Sequence, residues 1–348
     1  VTGIPYLVII GAALVPALFY YASLFVAVRV EAARLGIEPI PKQERQKVSR
    51  QDWKLSLMFI IPIFVIIGVL ITGRSPAMAG LWATVVGAGL GLMNSEVRKR
   101  PKVYIEALAR GGEQCGRIMV AVAAIGIIVG IMNLTGLGIR FSNMILAFAG
   151  EGLFFAMLLV ALASIILGMG LPTIPAYLII VLIMGEAMEK LGVPKILVHL
   201  FVLYYGVLSA ITPPVAIAAY AAAPISKSNP MTTALQALKL SFVGFIVPFV
   251  FVYNPSLSLV VGFETIPFIW VVARLSLAIW LMTTALGGVD RAPLPLWSRI
   301  LRISFGIGAL LTITEVQIFA FMAGLALIII EGRRVKKVCE TASSDKMA

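Results

Sequence analysis

The chemistry this sequence offers is oxygen without charge. Asn133, Thr135, Thr173, Ser209 and Thr212 stand at three interruptions of otherwise apolar stretches, and none of the three contains an Asp or Glu. Hydroxyls, a side-chain amide and the carbonyls of unwound helix suit a hard monovalent cation such as sodium, which needs no carboxylate. The partly positive amino end of a half-helix starting near Thr173 suits an anionic group. Each hydroxyl taken singly has a plainer reading, a kink at which it merely satisfies a nearby carbonyl. All Asp and Glu residues fall at predicted loops or span ends, so the sequence does not support a proton relay through buried carboxylates.

The interruptions matter because of what surrounds them. Gly152 to Gly185 is 34 residues without a charge, and about 20 apolar helical residues cross a bilayer. At its middle stands Gly168-Met169-Gly170-Leu171-Pro172-Thr173-Ile174-Pro175. Glycines and prolines so dense cannot continue a regular helix, which predicts a broken membrane helix. Irregular backbone at membrane depth persists only where protein buries it or where it lines a cavity. Ser209-Ala210-Ile211-Thr212-Pro213-Pro214 predicts a second break within the charge-free run Leu200 to Ser226, since two prolines remove two donors and push Thr212 away from helix. Gly168, Gly170, Pro172, Thr173, Ser209, Thr212, Pro213, Pro214, Asn133 and Thr135 are therefore the candidate ion or substrate residues, with Thr173 and Thr212 the candidate sodium ligands.

Composition fixes the class. Residues are 60% hydrophobic and 13% charged, against roughly 25% charged in soluble proteins, and the mean hydropathy is +1.02. These values predict an all-α, polytopic transmembrane helical bundle. The net charge of +12 sits mostly in short loops, as the positive-inside rule expects, and nucleic acid is excluded as a partner in favour of membrane lipid. Cys115 and Cys339 have no metal-ligand spacing and read as ordinary thiols. No Ser/His/Asp grouping, phosphate loop or paired carboxylate is evident, which argues against an enzyme and against any cofactor besides a coupling ion.

Apolar spans run from Pro5 to Val28, Leu55 to Thr72, Pro76 to Met93, Ile118 to Gly150, Gly152 to Gly185, His199 to Ala223, Leu238 to Pro255, Thr265 to Leu286, Ile303 to Ile313 and Val316 to Ile330. The loop Arg29 to Lys54 carries seven basic and four acidic residues and reads as cytoplasmic, as does Asn94 to Arg117. The same rule places a break at Glu315, so that the basic tail from Arg333 to Lys337 returns to the cytoplasmic side. Ile118 to Gly150 then reads as a re-entrant hairpin with arms Ile118 to Met132 and Ile139 to Ala149 and a tip Asn133-Leu134-Thr135-Gly136-Leu137-Gly138. Two short tilted helices joined by an outer loop are the alternative, and Arg140 near the tip would need a partner or a wet cavity. Asn94 to Gly116 reads as a surface helix or a loop. Gly87 with Gly91, and Gly126 with Gly130, have the small-xxx-small spacing that lets helices approach. Arg274 within its span reads as able to pair with Glu264 or snorkel, and His199 reads as interfacial.

Three motifs together carry a family resemblance: Gly168-Met169-Gly170-Leu171-Pro172-Thr173, then Ile211-Thr212-Pro213-Pro214-Val215-Ala216-Ile217-Ala218-Ala219-Tyr220, then Phe245-Ile246-Val247-Pro248-Phe249-Val250-Phe251-Val252-Tyr253-Asn254-Pro255. The sequence resembles the fused permease of tripartite ATP-independent periplasmic (TRAP) transporters, particularly the TAXI branch, over most of Val1 to Pro255. Gly3-Ile4-Pro5-Tyr6 looks like the segment that follows the first half of that permease. The resemblance implies a multi-pass protein of the bacterial inner membrane that takes up an organic acid, driven by sodium and delivered by a periplasmic substrate-binding protein, through an elevator-type motion. It also implies an inverted repeat, of which this sequence would hold the second, so a missing first half joins the expected partners. On this reading residues 1–117 are transmembrane helices with cytoplasmic connections, 118–255 the second-repeat transport core, and 256–348 further helices and a basic tail. The alternative is a truncated or accessory membrane subunit without transport of its own.

Overall fold

The computed structural model describes residues 3–38, 40–41, 43–45, 49–150 and 152–344, with backbone alone for 50–51, 54, 95–96, 133 and 335–344. Apolar side chains leave backbone amides no partner in lipid except other backbone, and helix satisfies them within one segment. The described residues are accordingly helical, with no strand among them. Five segments are long and apolar enough to cross a membrane: Tyr6–Arg34, Lys102–Met132, Pro230–Tyr253, Thr265–Gly287 and Thr314–Arg334. The expected all-α polytopic bundle with broken helices is thus the observed class.

The chain packs as two units, Gly3–Ile10 with Pro39–Ile131 and Gly11–Glu38 with Met132–Ala348. Helix α1 (Tyr6–Arg34) and helix α5 (Lys102–Thr135) each contribute to both.

In the first unit, α2 (Arg50–Ile71) and α3 (Pro76–Gly91) pack against each other. Ser49 and Asp52 start α2 with a capping box, and Ser75 with Pro76 starts α3, each satisfying amides that a helix start leaves free. Gly87 faces Pro62 across this pair, and the Tyr104 ring lies over Gly91 with its hydroxyl donating to the Ala88 carbonyl at 2.7 Å. Gly87 and Gly91 therefore serve close packing. Gly126 and Gly130 meet nothing within 4 Å among the described residues.

Asn94 to Gly116, read as a surface helix or a loop, is helical in two pieces. A five-residue α4 (Ser95–Lys99) is followed at Lys102 by the 34-residue α5, about 50 Å long at 1.5 Å per residue. Pro101 precedes it and no proline interrupts it; glycines at 111, 112 and 116 weaken a helix by only about 1 kcal/mol each. The arm Ile118 to Met132 is thus the second part of a long helix, and the argument from two short arms does not hold.

The second unit contains the predicted breaks. The chain turns at Gly136, φ +65°, into α6 (Leu137–Ala149). Then come α7 (Leu153–Gly168) and α8 (Thr173–Lys190), followed by α9 (Lys195–Leu208) with a 3-10 turn over Ser209–Ile211 and by α10 (Ile217–Ser226). Next are α11 (Pro230–Ser241), capped by Asn229, and α12 (Val247–Tyr253), then α13 (Thr265–Gly287), α14 (Leu296–Gly308) and α15 (Thr314–Ser344). The last break lies at residues 309–313, with Glu315 in the first turn of α15, where a carboxylate meets the positive helix end.

The core sits where α7, α8 and α9 meet, around Met157, Val160, Ile180, Met188, Leu197 and Phe201. Against it lies α1. Tyr20 meets Tyr204 edge-on at 5.8 Å, and Glu31 pairs with Lys239 at 3.1 Å. Gly244 lies under Tyr20 and Ser23, and Gly287 under Val30, with no room for a β-carbon at either. Here close approach at two glycines works beside an ion pair.

Candidate functional site

The first break is four residues long. α7 ends at Gly168, Met169 is extended, Gly170 takes φ +78°, and Pro172, with ψ 151°, caps α8 so that Thr173 is its first residue. Only glycine adopts the conformation of residue 170 without strain. The Met169 amide reaches back to Ile166 and the Leu171 amide to Gly168. Among the described residues, no hydrogen bond is made to the carbonyls of Met169, Gly170 or Leu171.

At the second break, α9 tightens into the 3-10 turn Ser209–Ile211, Thr212 is extended, Pro213-Pro214 is cis, and Ala216 caps α10 at φ +30°. The Pro214 carbonyl is taken by the Tyr220 hydroxyl and the Thr212 carbonyl by the Ala216 amide. Those of Ile211, Pro213 and Val215 accept nothing among the described residues.

Tertiary packing brings these two breaks together. A β-carbon at Gly168 would lie 2.6 Å from Ser209 Oγ and 3.3 Å from the Gly206 carbonyl, and one at Gly170 would lie 3.6 Å from Val215 Cγ1. The starts of α8 and α10 follow within three residues of that second contact. Two positive helix ends and six unsatisfied carbonyls thus flank one contact.

The hydroxyls are oriented in a defined way. Ser209, buried, donates to the Gly206 carbonyl at 2.6 Å, and Thr212, half-buried, donates to the Leu208 carbonyl at 2.9 Å. This is the back-bonding the plainer reading expected. A hydroxyl whose proton is held by a carbonyl still presents its lone pairs, and lone pairs are what a cation takes. Thr173 is exposed, and its hydroxyl makes no hydrogen bond among the described residues.

The third interruption meets α8 at another level through Gly138. Gly138 packs 3.1 Å from the Leu182 carbonyl, measured to an added β-carbon. Leu182 lies nine residues beyond Thr173, about 13 Å along α8. Thr135 is exposed and donates to the Met132 carbonyl at 3.3 Å. The side chain of Asn133 lies outside the described residues, as does that of Cys339; Cys115 is an exposed thiol.

The model of the family described as tripartite ATP-independent periplasmic transporter, DctM component, matches residues 1–266. The chain belongs to this family. No curated protein and no solved structure matches the chain. The matched region contains both breaks, and its third motif now has a structural task. Tyr204 and Tyr205 of α9 donate to the carbonyls of Gly244 and Phe245, so the segment before α12 holds the permease's second break from behind.

The structure gives two single residues their partners. His199 is buried, with Nδ1 2.6 Å from the Tyr177 hydroxyl one turn into α8. Arg274 is buried and does not use Glu264. Its guanidinium donates to Asn254 Oδ1 at 2.8 Å and to the Ala309 carbonyl at 3.1 Å, beside the Trp270 ring. Sequence reasoning missed two polar groups, one around Arg274 and one around Arg302. Trp270 donates to Gln317, Gln317 to the Leu311 carbonyl, and buried Arg302 holds Thr284, Asp290 and Glu331. Nearly all of their residues lie beyond residue 266, past the end of the family match. The available signal was Arg274 within the apolar α13 and Arg299 with Arg302 in α14.

Proposed function

We propose that this chain is the permease portion of a sodium-coupled secondary transporter that takes up an organic acid delivered by a periplasmic binding protein, in the bacterial inner membrane. The family supports a TRAP permease working with a periplasmic binding protein and a small membrane subunit. The observation that carries the finer reading is the contact between the two breaks. Thr173, Thr212 and neighbouring carbonyls supply uncharged oxygen for one cation, since no carboxylate belongs to either break. The amino ends of α8 and α10 begin within three residues of the contact between Gly170 and Val215, and a helix amino end favours a carboxylate such as the substrate's.

In this scheme sodium binding between the breaks holds two half-helices in one arrangement, and the anion adds to it. Cation and anion stabilise each other's site by charge, which couples their movement. Both breaks keep accessible backbone, the first largely exposed and the second half-buried, so their carbonyls can be reached by a cation.

The test is uptake by the transport system reconstituted in proteoliposomes with its binding protein. Accumulation of organic acid under an inward sodium gradient, collapsing when that gradient is dissipated, is the expected result. Uptake that follows a proton gradient and ignores sodium would remove the coupling claim while leaving the permease reading intact.

A further inference from the structure

A second polar site lies beyond the family match, where the turn after α13 meets α15. A cavity of about 170 Å³ is lined there by Arg291, Trp297, Arg302, Ile328, Glu331 and Arg334, among others. Its floor is closed on itself. Arg302 is 1% exposed and donates to Asp290 Oδ2 at 2.9 Å, to Glu331 Oε2 at 2.6 Å and to Thr284 Oγ1 at 2.6 Å. With the bond from Nε to Glu331 Oε2 at 3.2 Å, each of its three nitrogens is engaged, and the buried guanidinium holds both carboxylates as part of the wall.

The rim supplies the groups a ligand can reach. Arg291 and Arg334 are exposed, line the cavity and belong to no ion pair among the described residues. Arg291 lies across α15 at Gly332, where an added β-carbon would sit 2.9 Å from its Nη1, so the glycine leaves room for the guanidinium. The charged lining is three arginines against two carboxylates, an excess of one positive charge. α14 begins at the same cavity, behind Pro295 and with no side chain capping its first amides, and its positive end adds to that excess. The cavity also sits where α13 and α15, both long and apolar enough to span a membrane, reach their carboxy-terminal ends. Half-exposed Trp297 and Ile328 stand beside the basic rim, and basic residues with tryptophan at span ends mark the level of a bilayer's phosphates.

We propose that this cavity binds the phosphodiester of an anionic phospholipid, held by Arg291 and Arg334, with the glycerol end leaving along Trp297 and Ile328. One negative charge cancels the excess of the lining. A zwitterionic headgroup leaves that excess in place, because its ammonium meets carboxylates that Arg302 already holds.

The full chain is placed in nanodiscs of equimolar phosphatidylethanolamine and phosphatidylglycerol, released into the gas phase, and its retained lipids are weighed by native mass spectrometry. Wild type should retain phosphatidylglycerol in preference to phosphatidylethanolamine. The double variant Arg291→Gln with Arg334→Gln should lower retained phosphatidylglycerol about tenfold, since charge-assisted phosphate contacts are lost. Both arginines are exposed and unpaired, so the fold does not depend on them. Arg98→Gln with Arg100→Gln makes the same change of charge at exposed positions in the first unit and should leave retention as in wild type. Inorganic phosphate at the lipid's own concentration should not displace it; displacement would make this a site for soluble phosphate and overturn the lipid assignment. Equal retention of both lipids by wild type, unchanged retention by the cavity variant, or an equal fall in the Arg98 and Arg100 variant would each overturn the proposal.

Discussion

Gly168 lies against Ser209 so closely that a β-carbon on the glycine would sit 2.6 Å from the serine Oγ and 3.1 Å from its Cβ. The end of α7 and the 3-10 turn after α9 therefore touch backbone to side chain, at the point where both helices break. Ser209 cannot simply rotate away, because its hydroxyl is held by the Gly206 carbonyl. Gly168→Ala is expected to separate the two breaks and cost about 1–3 kcal/mol by overpacking. Thermal unfolding of the purified chain should fall by several degrees, and uptake should fall further than expression does. Ser209→Gly in the same chain should recover part of the stability; no recovery would mean that the contact is not the cause.

Thr212→Val and Thr173→Val keep shape and remove the oxygen. Each is expected to weaken apparent sodium affinity about tenfold, roughly 1.4 kcal/mol, with a smaller change in the maximal rate at saturating sodium. Sodium titrations of uptake measure both quantities. Unchanged sodium dependence in both variants would remove these two residues from the cation site.

Arg274 is worth testing for support of the fold rather than for transport. Arg274→Met leaves Asn254 and the Ala309 carbonyl without their donor, at roughly 2–3 kcal/mol for hydrogen bonds to a charged group. Arg274→Lys should recover little, since a point ammonium cannot span two acceptors as the guanidinium fork does. Melting curves of the two variants decide it: a lysine variant as stable as wild type contradicts the fork.

Arg302 offers a thermodynamic cycle. Arg302→Met alone abandons two carboxylates in a largely buried setting and should destabilise by about 3–5 kcal/mol. Adding Glu331→Gln to it should cost less than the sum of the single changes, because the second change removes a charge the first left unpaired. Strict additivity in denaturation midpoints would show that the pair is not coupled.

The start of α2 predicts a pH effect outside the apolar span. The backbone amide of Ser49, and then its side chain, hold the Asp52 carboxyl below its ordinary value of 3.8. A depressed carboxyl stabilises the cap above that ordinary value, and the contribution disappears as pH falls through the folded one. Ser49→Ala removes the side-chain partner and should raise the Asp52 titration midpoint, as followed by carboxyl-carbon NMR. A midpoint that does not move would leave the hydroxyl without a role in the cap.

How legible the molecule was can be traced residue by residue. Gly168, Gly170 and Pro172 cannot lie within a regular helix whatever surrounds them, so the first break was readable from local sterics, and Thr212-Pro213-Pro214 likewise. The 34 residues of α5 were not, because only an actual breaker separates a surface helix from a spanning one, and glycines at 111, 112 and 116 are too weak to do so. His199 reads as interfacial at a span edge, and what its own segment does not show is Tyr177 coming to it from another helix, 22 residues earlier.

The sequence by itself determined that the chain is helical, that it belongs in a membrane and where two of its helices break. These follow from hydropathy and from the missing amide and fixed φ of proline, both properties of the residue. Only the tertiary structure decided that Gly168 meets Ser209, that Gly138 packs at Leu182 of α8, and that Arg274 and Arg302 are buried with partners. Those outcomes depend on which helix faces which, and nothing in a helix's own residues states what its neighbour will present.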